Sequence, residues 1–360
     1  MNPSLFLRKF DWRLFFIFLA LLGAGLFSMA GMGPNIRPFL EKQIYFLIVG
    51  SVLIFLVSFF DYRVFKNSSL PSLLIYLIAL VLLVISLMSS SVRGINAWIN
   101  FGSIRLEPSE FAKLAVVILL AKYFSQKHAE IYRIHHIVAS GVYAMVPALL
   151  VLKQPDLGSA FIFFAIWLSM LLAVGIKRKH LMIIFFSAIL VASVAWLVFL
   201  QPYQKNRITS FLNPYLDPKG EGYSVIQAKT AIGSGMTWGN GFGQGTQSRF
   251  GFLPEAHTDF AFASFGEQFG FAGILVLFAA FFMFLLRVGG IGFRAKNNFA
   301  KLFSVGFIAF VFSHVVINAG MNLGLMPITG IPFPFLSYGG SFLISLSLGI
   351  GLLESIKMRS

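Results

Sequence analysis

The sequence predicts an all-α polytopic integral membrane protein, and three observations carry that reading. Hydrophobic residues make up 58% of the 360 positions and charged ones only 11%. The apolar residues gather into uncharged runs of about twenty, the length a helix needs to cross the hydrocarbon layer. A chain in lipid must also satisfy its backbone polar groups internally, which helices do. Ten runs meet the criterion, near 12–31, 42–60, 70–89, 108–124, 136–152, 157–175, 181–200, 259–286, 302–321 and 339–354, with a long extracytoplasmic loop, 201–258, between the seventh and eighth.

The formal charge of +15 would suit nucleic acid, but the placement of the cations argues for topology. Arg8, Lys9, Arg13, Arg63, Lys66, Lys122, Lys127, Arg133, Lys177, Arg178, Lys179, Arg287, Arg294, Lys296, Lys301, Lys357 and Arg359 fall in the termini and alternate loops. The opposite short loops hold only Arg37, Lys42, Arg93, Arg105 and Lys153. This asymmetry puts both termini in the cytoplasm and the long loop outside. Ser28-Met29-Ala30 loosely resembles a cleavage site, yet the first apolar run is longer than a signal h-region and reads as a retained anchor. Absent cysteine excludes a disulfide framework and thiolate metal sites.

Each element follows in order. The first two spans read as scaffold, and after the third the loop 89–107 brings Trp98 and Phe101 beside Arg93 and Arg105, suited to a lipid headgroup or to interfacial anchoring. Pro108 opens the fourth span as an N1 proline, with Glu110 and Lys113 three apart on one face. Ionisable groups there face a cavity or form a structural ion pair. The turn Lys153-Gln154-Pro155-Asp156 displays one cation and one acid, and Asp156 is also a candidate cap for the sixth span. That leaves two open readings.

In the long loop, residues after Gly222 read as a short amphipathic helix at the interface, followed by glycines 233, 235, 239, 241, 243 and 245, a flexible backbone with exposed amides. No G-K-[ST] ending or strand–turn–helix context supports a nucleotide loop. The segment 251–260 places Glu255, His257 and Asp259 at alternate positions at the mouth of the eighth span. A carboxylate there can accept a proton, or Thr258 and Asp259 can merely cap the helix. Glu267 lies roughly 12 Å further along the span and requires a partner or a water-filled cleft. His314, Asn318 and Asn322 form a polar stripe on the ninth span, read as interhelical glue. Pro327, Pro332 and Pro334 then preclude a continuous helix, so the chain dips back before the tenth span. Of thirteen acids, Glu41, Glu107, Glu110, Asp156, Asp217, Glu221, Glu255, Asp259 and Glu267 lie toward the long-loop side, where chemistry cannot draw on cytoplasmic nucleotides.

At this point several motifs in one order carry a resemblance: INFGSIRLEPSEFAKLA at 99–115, KQPDLGSA at 153–160, NPYLDPKGEGY at 213–223, FLPEAHTDFAF at 252–262 and MPITGIPFPFLSYGGS at 326–341. The chain resembles the SEDS proteins (shape, elongation, division and sporulation), and GTQSRFGFLPE at 245–255 is more similar to the RodA-like, rod-shape branch than to the FtsW-like division branch. The resemblance implies a peptidoglycan glycosyltransferase that polymerises lipid II, with the HTDF aspartate, Asp259, essential and Glu110 and Lys113 functionally important. Beside these, Arg105, Lys153, Gln154, Asp156, Arg207, Glu255, His257, Thr258, Ser337 and Tyr338 are candidate substrate-binding or supporting residues. Gly266-Glu267-Gln268 departs from the paired glutamates of many relatives.

The reaction so implied needs one base, Asp259, and charge compensation for departing undecaprenyl pyrophosphate by Arg105, Lys113, Lys153 or Arg207, with a divalent cation (Mg or Mn) as candidate cofactor. A single acceptor distinguishes it from a glycosidase with two opposed carboxyl groups. The alternatives are a flippase for the lipid-linked precursor and a scaffold, and the outward clustering of acids without an internal repeat argues against alternating access. Nothing resembles a transpeptidase motif, so the resemblance implies a class B penicillin-binding protein as partner, together with other elongation-complex membrane proteins.

Overall fold

The computed structural model describes residues 8–89, 97–102, 104–127, 133–199, 202–216 and 220–359; Arg93 and Asp217 fall outside them. The elements in chain order are α1 (Trp12–Ala30), α2 (Arg37–Phe59), α3 (Arg63–Asn67), α4 (Leu70–Leu87), β1 (Ile99–Phe101), β2 (Ile104–Leu106), α5 (Pro108–Lys127), α6 (Ile134–Lys153), α7 (Leu157–Val174), α8 (Arg178–Val194), α9 (Pro202–Leu212), α10 (Glu221–Ser234), α11 (Thr246–Arg249), α12 (Ala261–Arg294), α13 (Asn298–Asn322) and α14 (Gly340–Arg359). Among the described residues, nine helices are long and apolar enough to cross a membrane.

The fourth predicted span, α5, is outside that nine because it carries Glu110, Lys113, Lys122 and Lys127. It tolerates them by position. α4, α6, α7, α13 and α14 surround it, and its residues from Pro108 to Lys122 are almost all buried. Protein rather than lipid therefore meets its charges. At the opposite extreme, α8 leaves Phe185, Phe186, Leu190 and Val191 exposed, as a span bathed in lipid would. Side chains start three of the long helices: Asp11, Asp156 and Asn297 accept from Leu14, Ser159 and Ala300 N–H at 3.3, 2.9 and 2.9 Å. Capping is thus an observed role of Asp156.

Two regions differ from the sequence expectation. The loop 89–107 contains an antiparallel hairpin, β1 with β2, pairing Asn100 with Arg105 around Gly102 at φ +61°. The long connection 201–258 holds the helix expected after Gly222, α10, and two not expected, α9 and α11. Helix α10 buries Val225, Ala228 and Ala231 against Met29, Leu253, Phe260, Ala263 and Met321, so its apolar face meets protein as well as the interface.

The glycine stretch is likewise docked. Helix α12 breaks at Gly270, φ +64° and ψ −167°, and a break strands backbone groups that lipid cannot satisfy. Residues 236–241 take them: Phe271 and Ala272 N–H donate to Met236 and Thr237 carbonyls at 2.9 Å each, while Asn240 and Gly241 N–H donate to Glu267 and Gln268 carbonyls at 3.0 and 3.1 Å. Backbones this close leave no room for side chains, since a Cβ at Gly235, Gly239 or Gly270 would run into the opposing main chain. Glu267 accepts from Gln247 N–H at 2.7 Å and from Ser248 N–H and Oγ at 3.0 and 2.7 Å, capping α11. Gln268 donates to the Ser28 carbonyl at 3.1 Å, fastening α12 to α1, so the departure from a second glutamate has a structural use.

Gly270→Ala should therefore destabilise the folded chain by about 1–3 kcal/mol from a backbone conformation essentially reserved for glycine, read as a lower unfolding temperature in detergent. Gly23→Ala, in open space on α1, should leave that temperature level or slightly raised.

Candidate active site

Three irregular or helix-initial stretches converge at one end of the bundle: 252–263, the proline-broken 323–339, and the first turns of α5. Carbonyls of broken backbone at membrane depth need donors, and α13 supplies them from positions four apart. Asn318 Nδ2 donates to the Ile331 carbonyl at 2.7 Å and to the Asp259 carbonyl at 3.0 Å. Asn322 Nδ2 also donates to the Asp259 carbonyl at 3.0 Å, and its Oδ1 accepts Ala263 N–H at 3.0 Å. The predicted glue thus binds the main chain of two irregular segments more than the side chains of a neighbouring helix.

At the start of α12 a distant side chain serves one backbone donor. Phe260 occupies the cap of α12 without a side-chain bond, and the orphan N–H of Ala263 goes to Asn322, 59 residues along the chain. Asp259 is half-buried, and its carboxylate faces Gly330, where a Cβ would stand 4.0 Å from Oδ2. Further bonds stitch the two segments together: Ser337 Oγ donates to the Thr258 carbonyl at 2.6 Å, and Tyr338 N–H to the His257 carbonyl at 2.7 Å. The Phe39 ring packs 4.2 Å from His257 and 5.3 Å from Tyr338. Glu255, at φ +47°, accepts the Thr258 hydroxyl at 3.2 Å. A glutamate in the left-handed region is strained, and strain of this kind persists where surrounding contacts over-determine the backbone.

Beside this rim lies a fully buried ionic cluster. Lys113 Nζ donates to Glu110 Oε1 at 2.8 Å and lies 3.2 Å from His314 Nε2. An ammonium only donates, so Nε2 accepts and the ring proton belongs on Nδ1, directed at the Pro332 carbonyl 3.3 Å away; this tautomer is assigned from the partners. Glu110 Oε2 has no hydrogen bond and sits 3.7 Å from His314 Nε2. The ion-pair reading of Glu110 and Lys113 is realised, and His314 links it to the segment that faces Asp259 two residues earlier, at Gly330.

The remaining candidates divide. Arg105 is exposed at the rim and close enough to oppose the rise that burial imposes on the Tyr338 phenol. Gln154 is buried and braces α4, donating to the Leu83 carbonyl and Ser86 Oγ at 3.0 and 2.8 Å. Lys153 is exposed at the end of α6, and Arg207 is half-buried on α9. Glu107 had no role assigned from sequence. Ser109 Oγ donates to it at 2.9 Å, and its own N–H donates to Ser341 Oγ at 2.9 Å. Burial, then the charge of Glu110, pushes its carboxyl up to about 8. Among the described residues no group of three or more His, Asp or Glu side chains converges.

Lys113→Met should strand the Glu110 charge and cost about 3–5 kcal/mol, visible as a large drop in unfolding temperature. Adding Glu110→Gln removes the stranded charge and should recover most of that drop; equal instability of single and double variants would contradict the pairing.

The profile of the FtsW/RodA/SpoVE cell cycle proteins matches residues 5–360. The peptidoglycan glycosyltransferase MrdB of Escherichia coli K12 is 35% identical over 351 residues, spanning 96% of this chain and 93% of that protein. The probable peptidoglycan glycosyltransferase FtsW of Trichlorobacter lovleyi is 35% identical over 324 residues, spanning 89% and 83%. A chain solved in work on the coordination of polymerization and crosslinking by a peptidoglycan synthase complex superposes with a TM-score of 0.84 at 29% identity, covering 97% of this chain and 98% of that one. Nearly full-length agreement in sequence and in fold leads to one conclusion: the chain belongs to the FtsW/RodA/SpoVE family.

Proposed function

We propose that this chain is a peptidoglycan glycosyltransferase that joins lipid II units into glycan strands, with Asp259 as general base. The observation that carries the proposal is the immobilised Asp259 itself. Asn318 and Asn322 hold its carbonyl, its neighbours Thr258 and His257 are bound to Ser337 and Tyr338, and its half-buried carboxylate faces a glycine. A positioned, partly desolvated carboxylate is worth roughly two to four orders of magnitude as a base.

In the proposed step a sugar hydroxyl attacks the anomeric carbon of a second lipid-linked sugar. The new carbon–oxygen bond forms as the bond to pyrophosphate breaks, the hydroxyl proton passes to Asp259, and undecaprenyl pyrophosphate leaves as an anion. No general acid is required for that leaving group, only compensation of its charge. Arg105, exposed at the rim by Tyr338, is the candidate for direct contact with it. Lys113 is fully buried and committed to Glu110 and His314, so its charge acts through the local field and through the segment His314 holds.

Sidedness belongs to the same proposal. Asp11 and Lys357 meet at 3.1 Å, which supports both termini lying at one end of the bundle, opposite Asp259. Counting α5 as a span makes ten, and the cation asymmetry assigns the terminal end to the cytoplasm and the site to the outer face. The sequence 245–255 favours a role in elongation, and a class B penicillin-binding protein, with other elongation-complex proteins, would crosslink the product.

The purified chain supplied with lipid II should yield glycan ladders. Asp259→Asn should slow polymerisation by at least about a hundredfold while unfolding at an unchanged temperature, and Arg105→Gln should weaken lipid II use more than it lowers the maximal rate. Labelled lipid crossing the bilayer without ladders, or an undiminished Asp259→Asn enzyme, would overturn the assignment.

A further inference from the structure

The end of the bundle opposite Asp259 holds a second polar cluster, between the N-terminus of α1 and the C-termini of α12 and α14. A cavity of about 220 Å³ opens there, lined by Asp11, Arg287, Gly290, Ile291, Arg294 and Lys357. Asp11 is almost fully buried and binds two of the three cations through one oxygen, Arg287 Nε at 2.6 Å and Lys357 Nζ at 3.1 Å. Burial would raise the Asp11 carboxyl, but those cations outweigh it and hold it below the usual range. Behind it, Glu354 Oε2 accepts Asp11 N–H at 2.8 Å.

The cluster is over-supplied with positive charge and with donors. Three cations line the cavity against one acid, and counting Glu354 as ionised still leaves a net positive charge. Arg287 engages Asp11 through Nε and Lys357 through one of its three protons, while exposed Arg294 makes no hydrogen bond or ion pair among the described residues. Gly290 leaves the wall open, with nothing within 4 Å of where its Cβ would stand. The α1 N-terminus adds its own partial positive charge. Exposed Trp12 and Phe293, the latter 88% exposed, flank the cluster in sequence, as aromatic residues do where a span meets the headgroup layer.

We infer that this cavity binds a phosphate-bearing anion at the membrane surface, with Arg294, Arg287 and Lys357 as its donors. A glycerophospholipid headgroup and free phosphate share that chemistry, and basic pockets between spans are a recurring headgroup site. The inference rests on the membrane-spanning architecture and is independent of Asp259.

The test uses the full chain in neutral detergent, titrated with phosphatidylglycerol, phosphatidylcholine or inorganic phosphate, and followed by native mass spectrometry and thermal unfolding. Phosphatidylglycerol should be retained in preference to phosphatidylcholine, and Arg294→Gln should weaken that binding about fivefold, the loss expected for one basic residue. Arg294→Lys should restore it. Displacement of phosphatidylglycerol by inorganic phosphate would identify the phosphate alone as the recognised group; resistance to displacement would identify the lipid. Equal retention of the two lipids, or wild-type binding by Arg294→Gln, overturns the inference. Arg294 is exposed and makes no hydrogen bond or ion pair among the described residues, so its substitution leaves folding and polymerisation as controls.

Discussion

Every polar backbone group inside a membrane protein needs a partner from the protein itself, and this chain breaks its helices in two places where that requirement bites. At Gly270 the stranded groups are taken by residues 236–241, backbone against backbone. At 323–339 they are taken by side chains, with His314 and Asn318 reaching from α13 to the Pro332 and Ile331 carbonyls. The first repair locks the long connection onto α12. The second fixes the main chain around Asp259, because the two asparagines that serve the broken segment or cap α12 also hold the Asp259 carbonyl.

The same logic governs the charges. Glu110 and Lys113 would be costly against lipid, yet α5 is enclosed by five long helices and the pair is made inside them. His314 then couples the pair to the Pro332 carbonyl, so one histidine belongs both to the ionic cluster and to the backbone repair. In the proposed mechanism this rigidity has a use. A weak carboxylate base is effective only when it is held at the reacting hydroxyl, and misplacement by about 1 Å can cost a hundredfold.

Apolar run length made most of the fold legible, and the charges at 110 and 113 correctly marked α5 as interior. Side-chain spacing made the α13 stripe visible. Its targets were hidden, since Asn322 and Ala263 meet only in three dimensions and the nearby Thr258 and Asp259 offered a simpler cap. The close packing at glycines 235 and 239 is hidden in the sequence for a similar reason: conformational freedom and close backbone approach favour the same residue, and only the fold shows Gly270 opposite Gly239 and Gly235. Gln154 was read with its charged neighbours although it turns inward to α4, while Glu107 lacked any local signal beyond Pro108 and Ser109 beside it.

The central claim is that α13 serves catalysis by holding Asp259, and a double-mutant cycle between Asn322 and Asp259 tests it most directly. Polymerisation of lipid II would be timed for Asn322→Ala in the native background and in the Asp259→Asn background. The account predicts a loss of at least about tenfold in the first and no further loss in the second. An equal loss in both backgrounds would show that Asn322 acts independently of Asp259 and would contradict the account.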